Sequence, residues 1–202
     1  MIKLLAKFII WFGRWDIDNK MKEMIPEKSI MIAVPHTSNW DYPYARAIFY
    51  MLGIPLKFTI KHTYTKGLWG LFFRPMGAIG IDRRPKGNTG RKISYTEAMT
   101  NILKEYEGQI CVAVTPEGTR KRVEKWKTGF YYAAKGAGVP ILLGYMDYTT
   151  RKAGIGKIIY PSDDMDADMR EIMEFYKDFD GKHPELCVMD KRWFGRVDEL
   201  TG

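Results

Sequence analysis

The strongest constraint on the fold of this 202-residue chain is a series of short apolar runs that alternate with helical segments. The runs predict five strands, at residues 29–36, 56–60, 78–82, 109–115 and 139–148. The segments between and after them predict four helices, at residues 39–52, 94–107, 130–135 and 168–179. Strands and helices in alternation predict an α/β fold with a largely parallel sheet flanked by helices. No linker divides the chain, so we expect a single domain over residues 1–202.

The N-terminal segment, residues 2–15, is apolar but carries Lys3 and Lys7 one helical turn apart. A bilayer-spanning helix needs about 20 apolar residues, so this segment is too short to span. Basic residues combined with Trp11 and Trp15 are typical of an amphipathic helix that lies in the headgroup region of a membrane. The alternative is an amphipathic helix that packs against its own domain.

Charge is distributed unevenly along the chain, whose formal net charge is +8. Residues 57–92 contain nine Lys or Arg against one acid, and include a basic turn at 83–90, whereas residues 160–202 contain twelve acids against six bases. This separation indicates a basic face turned to an anionic partner, either a phosphate substrate, a lipid surface or nucleic acid. The alternative is a basic face that is only solvated. No nucleic-acid-binding motif is visible, so we do not expect that partner.

The cysteines and histidines do not form a metal-binding pattern. Cys111 and Cys187 lie far apart and outside any C-x-x-C motif, which favours two separate thiols over a disulfide. The histidines His36, His62 and His183 lack zinc-ligand spacing. We therefore expect no metal site.

The first chemical signal is the turn after the apolar run 29–36. His36 ends that run, and Asp41 follows five residues later, in the first turn of a predicted helix. In α/β sheets, ligands bind at the edge formed by the carboxyl ends of the strands, which is where His36 would lie. A carboxylate beside an imidazole accepts a hydrogen bond from one ring nitrogen, which fixes the tautomer and leaves the other nitrogen as a base. The alternative is a capping box formed by Ser38 and Asp41, with the histidine as a hydrogen-bonded residue of the turn that has no chemical role.

The second signal is the segment TPEGTR, residues 115–120, which also follows an apolar run. Gly118 permits close approach of the backbone to a ligand. Thr119 and Arg120 are suited to bind a hydroxylated, anionic group, and Glu117 can accept a hydrogen bond from a substrate hydroxyl. Taken alone, the segment is also compatible with an ordinary turn held by a salt bridge.

Together these motifs resemble two conserved blocks of the glycerolipid acyltransferase family, which includes bacterial lysophosphatidic acid acyltransferase. The first block of that family is H-x-x-x-x-D, usually with Ser two positions after the His, and His36, Ser38 and Asp41 match it. The third block is F-P-E-G-T-R, which residues 116–120 match, with Thr115 in place of Phe.

Two weaker matches complete the resemblance. The second block of the family ends in a strand followed by I-D-R, as residues 81–83 do. The fourth block, V-P-I-x-P, is similar to residues 139–141 but lacks the second proline. The four blocks stand in the family order between residues 36 and 148.

The resemblance implies an O-acyltransferase that moves a fatty acyl group from acyl-CoA or acyl-carrier protein to a lysophospholipid such as 1-acylglycerol 3-phosphate. In that reaction His36 is the general base and Asp41 its orienting partner. The arginines are expected to bind the acceptor phosphate, and the glutamate an acceptor hydroxyl. The expected substrate-binding residues are Arg83, Glu117, Gly118, Thr119 and Arg120. The acyl thioester is a co-substrate, and no cofactor is implied.

The N-terminal segment, by its pattern of apolar, basic and aromatic residues, is expected to hold the chain at a membrane. We expect a single acyltransferase domain over residues 1–202, with residues 1–15 as a membrane-interfacial helix. The protein would then be peripheral, on the cytoplasmic side of a membrane. Its partners would be the lysophospholipid, the acyl thioester or its carrier protein, and the membrane surface.

Departures from the family pattern leave the acceptor open. Pro35 stands where the family often has Asn, Gly80 replaces a bulkier residue, and residues 144–147 replace the usual end of the fourth block. A non-phosphate lyso-lipid, such as an aminolipid or a glycolipid, is therefore an alternative acceptor, and a non-catalytic lipid-binding protein is an alternative class. The aromatic segment 67–76 fits an acyl groove, a membrane contact or core packing.

Overall fold

The computed structural model describes residues 2–83 and 92–194. The strands are β1 Asp16–Asp18, β2 Lys28–Ala33, β3 Leu56–Lys61, β4 Ala78–Ile81, β5 Ile110–Val114, β6 Ile141–Asp147 and β7 Lys152–Ile159. The helices are α1 Ile2–Gly13, α2 Asp41–Met51, α3 Gly67–Phe73, α4 Tyr95–Glu105, α5 Gly129–Ala137, α6 Met165–Tyr176 and α7 Lys191–Phe194. Apart from Arg83, the predicted basic turn lies outside the described residues.

The strands form one seven-stranded sheet in the order β1-β7-β6-β2-β5-β3-β4. Strands β6, β2, β5, β3 and β4 run parallel to one another. Strand β7 pairs antiparallel with β6, and β1 pairs parallel with β7. The prediction of an α/β fold with a largely parallel sheet is therefore confirmed.

The apolar runs are continuous because both faces of the central strands are buried. In β2, Ile30 and Ile32 pack into the core on one face, with α4, α5 and α6, whereas Met31 packs into the core on the other face, with α2. Strands covered by helices on both faces have no reason to alternate apolar and polar residues. Each predicted strand is present, within three residues of its predicted ends.

Two strands were not predicted. Strand β7 reads KAGIGKII, in which glycines and lysines interrupt the apolar pattern, and β1 is only three residues long. Pairing with a neighbour, rather than local sequence pattern, stabilises strands of this kind.

Helix α1 has one buried side and one exposed side. Ala6 and Gly13 are buried against α2, and Trp15 just beyond the helix is only 6% exposed. Trp15 is thus a correction to the expected interfacial surface, because its ring packs in the core against Tyr44 instead of facing outward. The outer side carries large apolar residues with 56–73% exposure: Ile2, Leu4, Leu5, Phe8, Trp11 and Phe12.

Helix α3 is also apolar and exposed. Leu68, Trp69, Leu71 and Phe72 are 60–85% exposed, which excludes core packing for these four side chains. Within the described ranges, no helix is both long and apolar enough to cross a bilayer. Cys111 is buried, Cys187 is half-buried, and both are free thiols.

Candidate active site

The predicted site residues gather at one edge of the sheet because they follow parallel strands. His36 follows β2, Glu117 follows β5 and Arg83 follows β4. The carboxyl ends of parallel strands lie at the same edge, and β2 and β5 are direct neighbours there. The sheet thereby brings together residues that lie 81 positions apart in the chain.

His36 and Asp41 form a hydrogen-bonded pair. His36 Nδ1 lies 3.0 Å from Asp41 Oδ2, which also accepts a hydrogen bond of 2.9 Å from the backbone N–H of Ser38. Because that carboxylate is an acceptor, Nδ1 carries the proton and Nε2 is the nitrogen left for proton transfer. Asp41 is buried, and both residues line a cavity.

The Ser38–Asp41 contact is only half of the capping box considered above. Helix α2 begins at Asp41, its N-cap is Trp40, and the Ser38 hydroxyl accepts from the backbone N–H of Trp40 at 3.2 Å. The carboxylate therefore serves both the turn and the histidine. The two interpretations of the motif are compatible, since one oxygen accepts both hydrogen bonds.

A segment near the C-terminus covers the turn that carries His36. The hydroxyl of the buried Thr37 accepts a hydrogen bond of 3.1 Å from the backbone N–H of His183. Gly181 lies so close that a β-carbon there would be 2.6 Å from the Thr37 hydroxyl. These contacts fix the turn from outside the sheet.

Glu117 lies behind the histidine. Its Oε2 accepts a hydrogen bond of 3.0 Å from the backbone N–H of His36, and Oε1 is buried with no partner among the described residues. Burial raises the pKa of Glu117 to about 7, with the His36 hydrogen bond acting in the opposite direction. Glu117 does not line the cavity, so its observed contact holds the turn that carries His36. Its expected contact with an acceptor hydroxyl stays a prediction.

The rest of the TPEGTR segment forms a turn at the cavity wall. Gly118 has a φ of +66°, a left-handed conformation that favours glycine, and its N–H donates to Thr115 O at 2.9 Å. Gly118 and the exposed Arg120 line the cavity. Thr119 does not; its hydroxyl accepts from the backbone N–H of Lys121 at 3.2 Å.

The cavity has a volume of about 820 Å³ and combines charged with apolar walls. Among the residues that the structure describes, its wall carries four basic side chains and one acidic side chain. The basic ones are Arg46, Arg83, Arg120 and Lys127, and the acidic one is Asp41. The apolar wall includes Met31, Phe49, Leu56, Phe58, Phe73 and Met146. Such a cavity is suited to a ligand with an anionic group and a long apolar chain.

Sequence reasoning missed three residues of the site. Arg46 and Lys127 line the cavity, and the Tyr148 hydroxyl donates a hydrogen bond of 2.6 Å to Asp41 Oδ1. Tyr148 directly follows β6, the other neighbour of β2 in the sheet. A polar residue at the end of a buried strand was the available signal for Tyr148, whereas Arg46 and Lys127 carry no motif.

The fold and the site together place a histidine, hydrogen-bonded to a carboxylate, on the wall of a cavity with apolar sides, at the carboxyl edge of a largely parallel sheet. The model of the family named Acyltransferase matches residues 16–143, well over half of the chain. The chain belongs to this family and is an acyltransferase. The resemblance inferred from the four sequence blocks is thereby confirmed.

Among solved structures, the chain is similar to the 1-acyl-sn-glycerophosphate acyltransferase PlsC from Thermotoga maritima. The two share 21% sequence identity, with a TM-score of 0.53 over 87% of this chain and 78% of that one. This similarity supports the fold assignment. No curated protein sequence matches the chain.

Proposed function

We propose that this acyltransferase moves a fatty acyl group from acyl-CoA or acyl-carrier protein to the hydroxyl of a lysophospholipid such as 1-acylglycerol 3-phosphate. The observation that carries the proposal is the His36–Asp41 pair, with its 3.0 Å hydrogen bond, on a cavity that also receives Arg83 and Arg120. The pair supplies a base that can take the proton of the acceptor hydroxyl, and the arginines supply hydrogen-bond donors for the acceptor phosphate.

The reaction follows from the roles of these groups. His36 Nε2 takes the proton of the acceptor hydroxyl as its oxygen bonds to the thioester carbonyl carbon. Asp41 stabilises the imidazolium that forms. Collapse of the tetrahedral intermediate breaks the C–S bond, and the imidazolium returns its proton to the leaving sulfur. The products are an ester and a free thiol, and no acyl-enzyme is required.

The charge of the cavity supports a phosphate-bearing acceptor. Four described cations line it against one carboxylate, and that carboxylate already accepts three hydrogen bonds. Guanidinium groups bind phosphate in a bidentate fashion. The T. maritima protein to which the chain is similar is a 1-acyl-sn-glycerophosphate acyltransferase, which supports the same acceptor class.

Replacing Arg83 or Arg120 by alanine is expected to raise the KM for 1-acylglycerol 3-phosphate at least about tenfold, since a hydrogen bond to a charged group is lost. The KM for acyl-CoA should change less than about twofold. Release of free thiol from acyl-CoA, measured across a series of acceptor concentrations, gives both constants. Lys121→Ala is the matched control, because Lys121 is exposed, adjacent to Arg120 and absent from the cavity wall.

The same assay separates the alternatives. An unchanged acceptor KM in both arginine variants would exclude the phosphate acceptor and favour a non-phosphate lyso-lipid. The departure of residues 144–147 from the family pattern bears on that alternative, because Gly144, Tyr145 and Met146 line the cavity. A raised KM for acyl-CoA alone would assign the arginines to the phosphates of the donor. Absence of thiol release with every lyso-lipid would favour a non-catalytic lipid-binding protein.

We also propose that the enzyme is peripheral to a membrane on its cytoplasmic side, with the outer side of α1 as the contact. That side consists of large apolar side chains that are more than half exposed, next to Lys3 and Lys7. Helix α3 supports a second contact: its four exposed apolar residues stand in a segment, residues 56–81, that has no acid and four Lys or Arg. Apolar and basic residues in combination favour an anionic bilayer surface.

Replacing Leu4, Phe8 and Trp11 together by glutamine is expected to weaken binding to anionic vesicles at least about tenfold, because three side chains lose their burial in lipid. The Tm should change little, because all three are already 56–73% exposed. Sedimentation with vesicles and a melting curve measure the two effects. Substitution is a sharper test than deletion of residues 2–15, which would also remove the buried Trp15.

The control is Tyr132→Gln combined with Tyr160→Gln, which removes two exposed aromatic rings outside α1 and α3. That variant should bind vesicles like the wild type. If the α1 variant kept wild-type vesicle binding but lost several degrees of Tm, α1 would be a helix that packs only on its own domain. High salt should release the wild type in part, because only the electrostatic part of binding is screened.

A further inference from the structure

The catalytic carboxylate has a third partner outside the H-x-x-x-x-D motif. Asp41 Oδ2 is occupied by His36 and by the Ser38 N–H, and Oδ1 accepts a hydrogen bond of 2.6 Å from the hydroxyl of Tyr148, 107 residues away. Without that third bond, Oδ1 would have no hydrogen-bond donor in the part of the chain that the structure describes. A carboxylate held through both oxygens has a fixed plane, whereas one held through a single oxygen can rotate.

The ring of Tyr148 is itself held from several directions. The Trp15 ring packs edge-on against it with 4.9 Å between the ring centres, and the Arg151 guanidinium lies 5.4 Å from the centre of the Tyr148 ring. The backbone N–H of Tyr148 donates to Asp180 O at 2.9 Å. Asp147, the buried residue just before Tyr148, accepts hydrogen bonds from the backbone N–H groups of the two residues that follow Tyr148. Tyr148 is therefore a rigid donor and not a mobile surface ring.

The Tyr148 hydroxyl is protonated, as a hydrogen-bond donor must be. Burial, the hydrogen bond to Asp41 and the charge of Asp41 raise the pKa of Tyr148 well above its ordinary value. The hydroxyl therefore keeps its proton throughout the physiological range and donates a hydrogen bond to the carboxylate. The cost of burying the Asp41 charge is offset by three hydrogen bonds rather than two.

We propose that Tyr148 is a positioning residue for catalysis: its hydroxyl locks the Asp41 carboxylate, so that Oδ2 stays on His36 Nδ1 and Nε2 stays directed for proton transfer. Tyr148 is not a catalytic residue, because it acts through Asp41. The inference rests on the proposed function for its kinetic test, but the geometry of the histidine has a readout that needs no substrate.

The test is Tyr148→Phe, which keeps the ring contacts with Trp15 and Arg151 and removes only the hydroxyl. We expect kcat for thiol release to fall about tenfold, the usual effect of losing a hydrogen bond to a charged group, with both KM values changed less than twofold. Proton NMR of the enzyme without substrate should show the His36 Nδ1–H exchanging faster with water. The signal is assigned by its absence in His36→Ala.

The matched control is Tyr131→Phe. Tyr131 also donates a hydrogen bond of 2.6 Å to a buried carboxylate, that of Asp168, but lies in the packing of α5 on α6. This variant should lower the Tm without changing kcat per folded enzyme or the Nδ1–H signal of His36. In an Asp41→Ala background, Tyr148→Phe should have no further effect on kcat, because the two residues act in one interaction.

Wild-type kcat and wild-type Nδ1–H exchange in Tyr148→Phe would overturn the proposal. A fall in Tm and a rise in KM with unchanged kcat would also overturn it, since that pattern describes packing alone. If no lyso-lipid supports turnover even in the wild type, the proposed function fails, but faster Nδ1–H exchange in Tyr148→Phe would still support the positioning role.

Discussion

Replacing His36 by alanine is expected to lower kcat by at least roughly two orders of magnitude while leaving the fold intact, because a general base contributes that much or more. The fold should survive, since Asp41 keeps the Ser38 N–H at 2.9 Å and the Tyr148 hydroxyl at 2.6 Å after the imidazole is removed. The measurement is thiol release from acyl-CoA with a lysophospholipid acceptor, together with a melting curve.

The matched control for this variant is His62→Ala. His62 also lies near a carboxylate, with Nε2 at 3.8 Å from Asp82 Oδ2, but it does not line the cavity. Its replacement should leave kcat within about twofold of the wild-type value. Turnover of His36→Ala close to the wild-type rate would exclude His36 as the base, whatever the result for His62.

Replacing Asp41 by asparagine is expected to lower kcat at least about a hundredfold with both KM values nearly unchanged. If the amide oxygen takes the place of Oδ2, it still accepts from Ser38 N–H and His36 Nδ1, but the charge that stabilises the imidazolium is gone. If the amide nitrogen takes that place, it favours the wrong tautomer of His36. Either arrangement affects the rate rather than substrate binding.

A companion variant, Asp41→Ala, separates charge from positioning. Alanine leaves the Ser38 N–H and the Tyr148 hydroxyl without their acceptor, so the Tm should fall in this variant and much less in Asp41→Asn. If Asp41→Asn kept a kcat within a few-fold of the wild type, the carboxylate charge would have no part in the reaction. Asp41 would then be a turn residue.

Much of this protein followed from local sequence. The apolar runs predicted the central strands because a strand buried on both faces needs apolar residues without alternation, as Ile30, Met31 and Ile32 illustrate. The His36–Asp41 pair was also accessible, because the contact closes within a single turn at the end of β2. The family blocks extended this local information to the enzyme class.

The tertiary structure alone decided the rest. Tyr148 reaches Asp41 and Glu117 reaches His36 only because β6 and β5 are the two neighbours of β2, and the order of strands in a sheet depends on packing across the whole domain. The same holds for Trp15, whose pattern suited a membrane surface but which is buried against Tyr44 and Tyr148. A sequence pattern states which side chains are apolar, whereas the three-dimensional packing decides which of them the domain covers and which remain exposed.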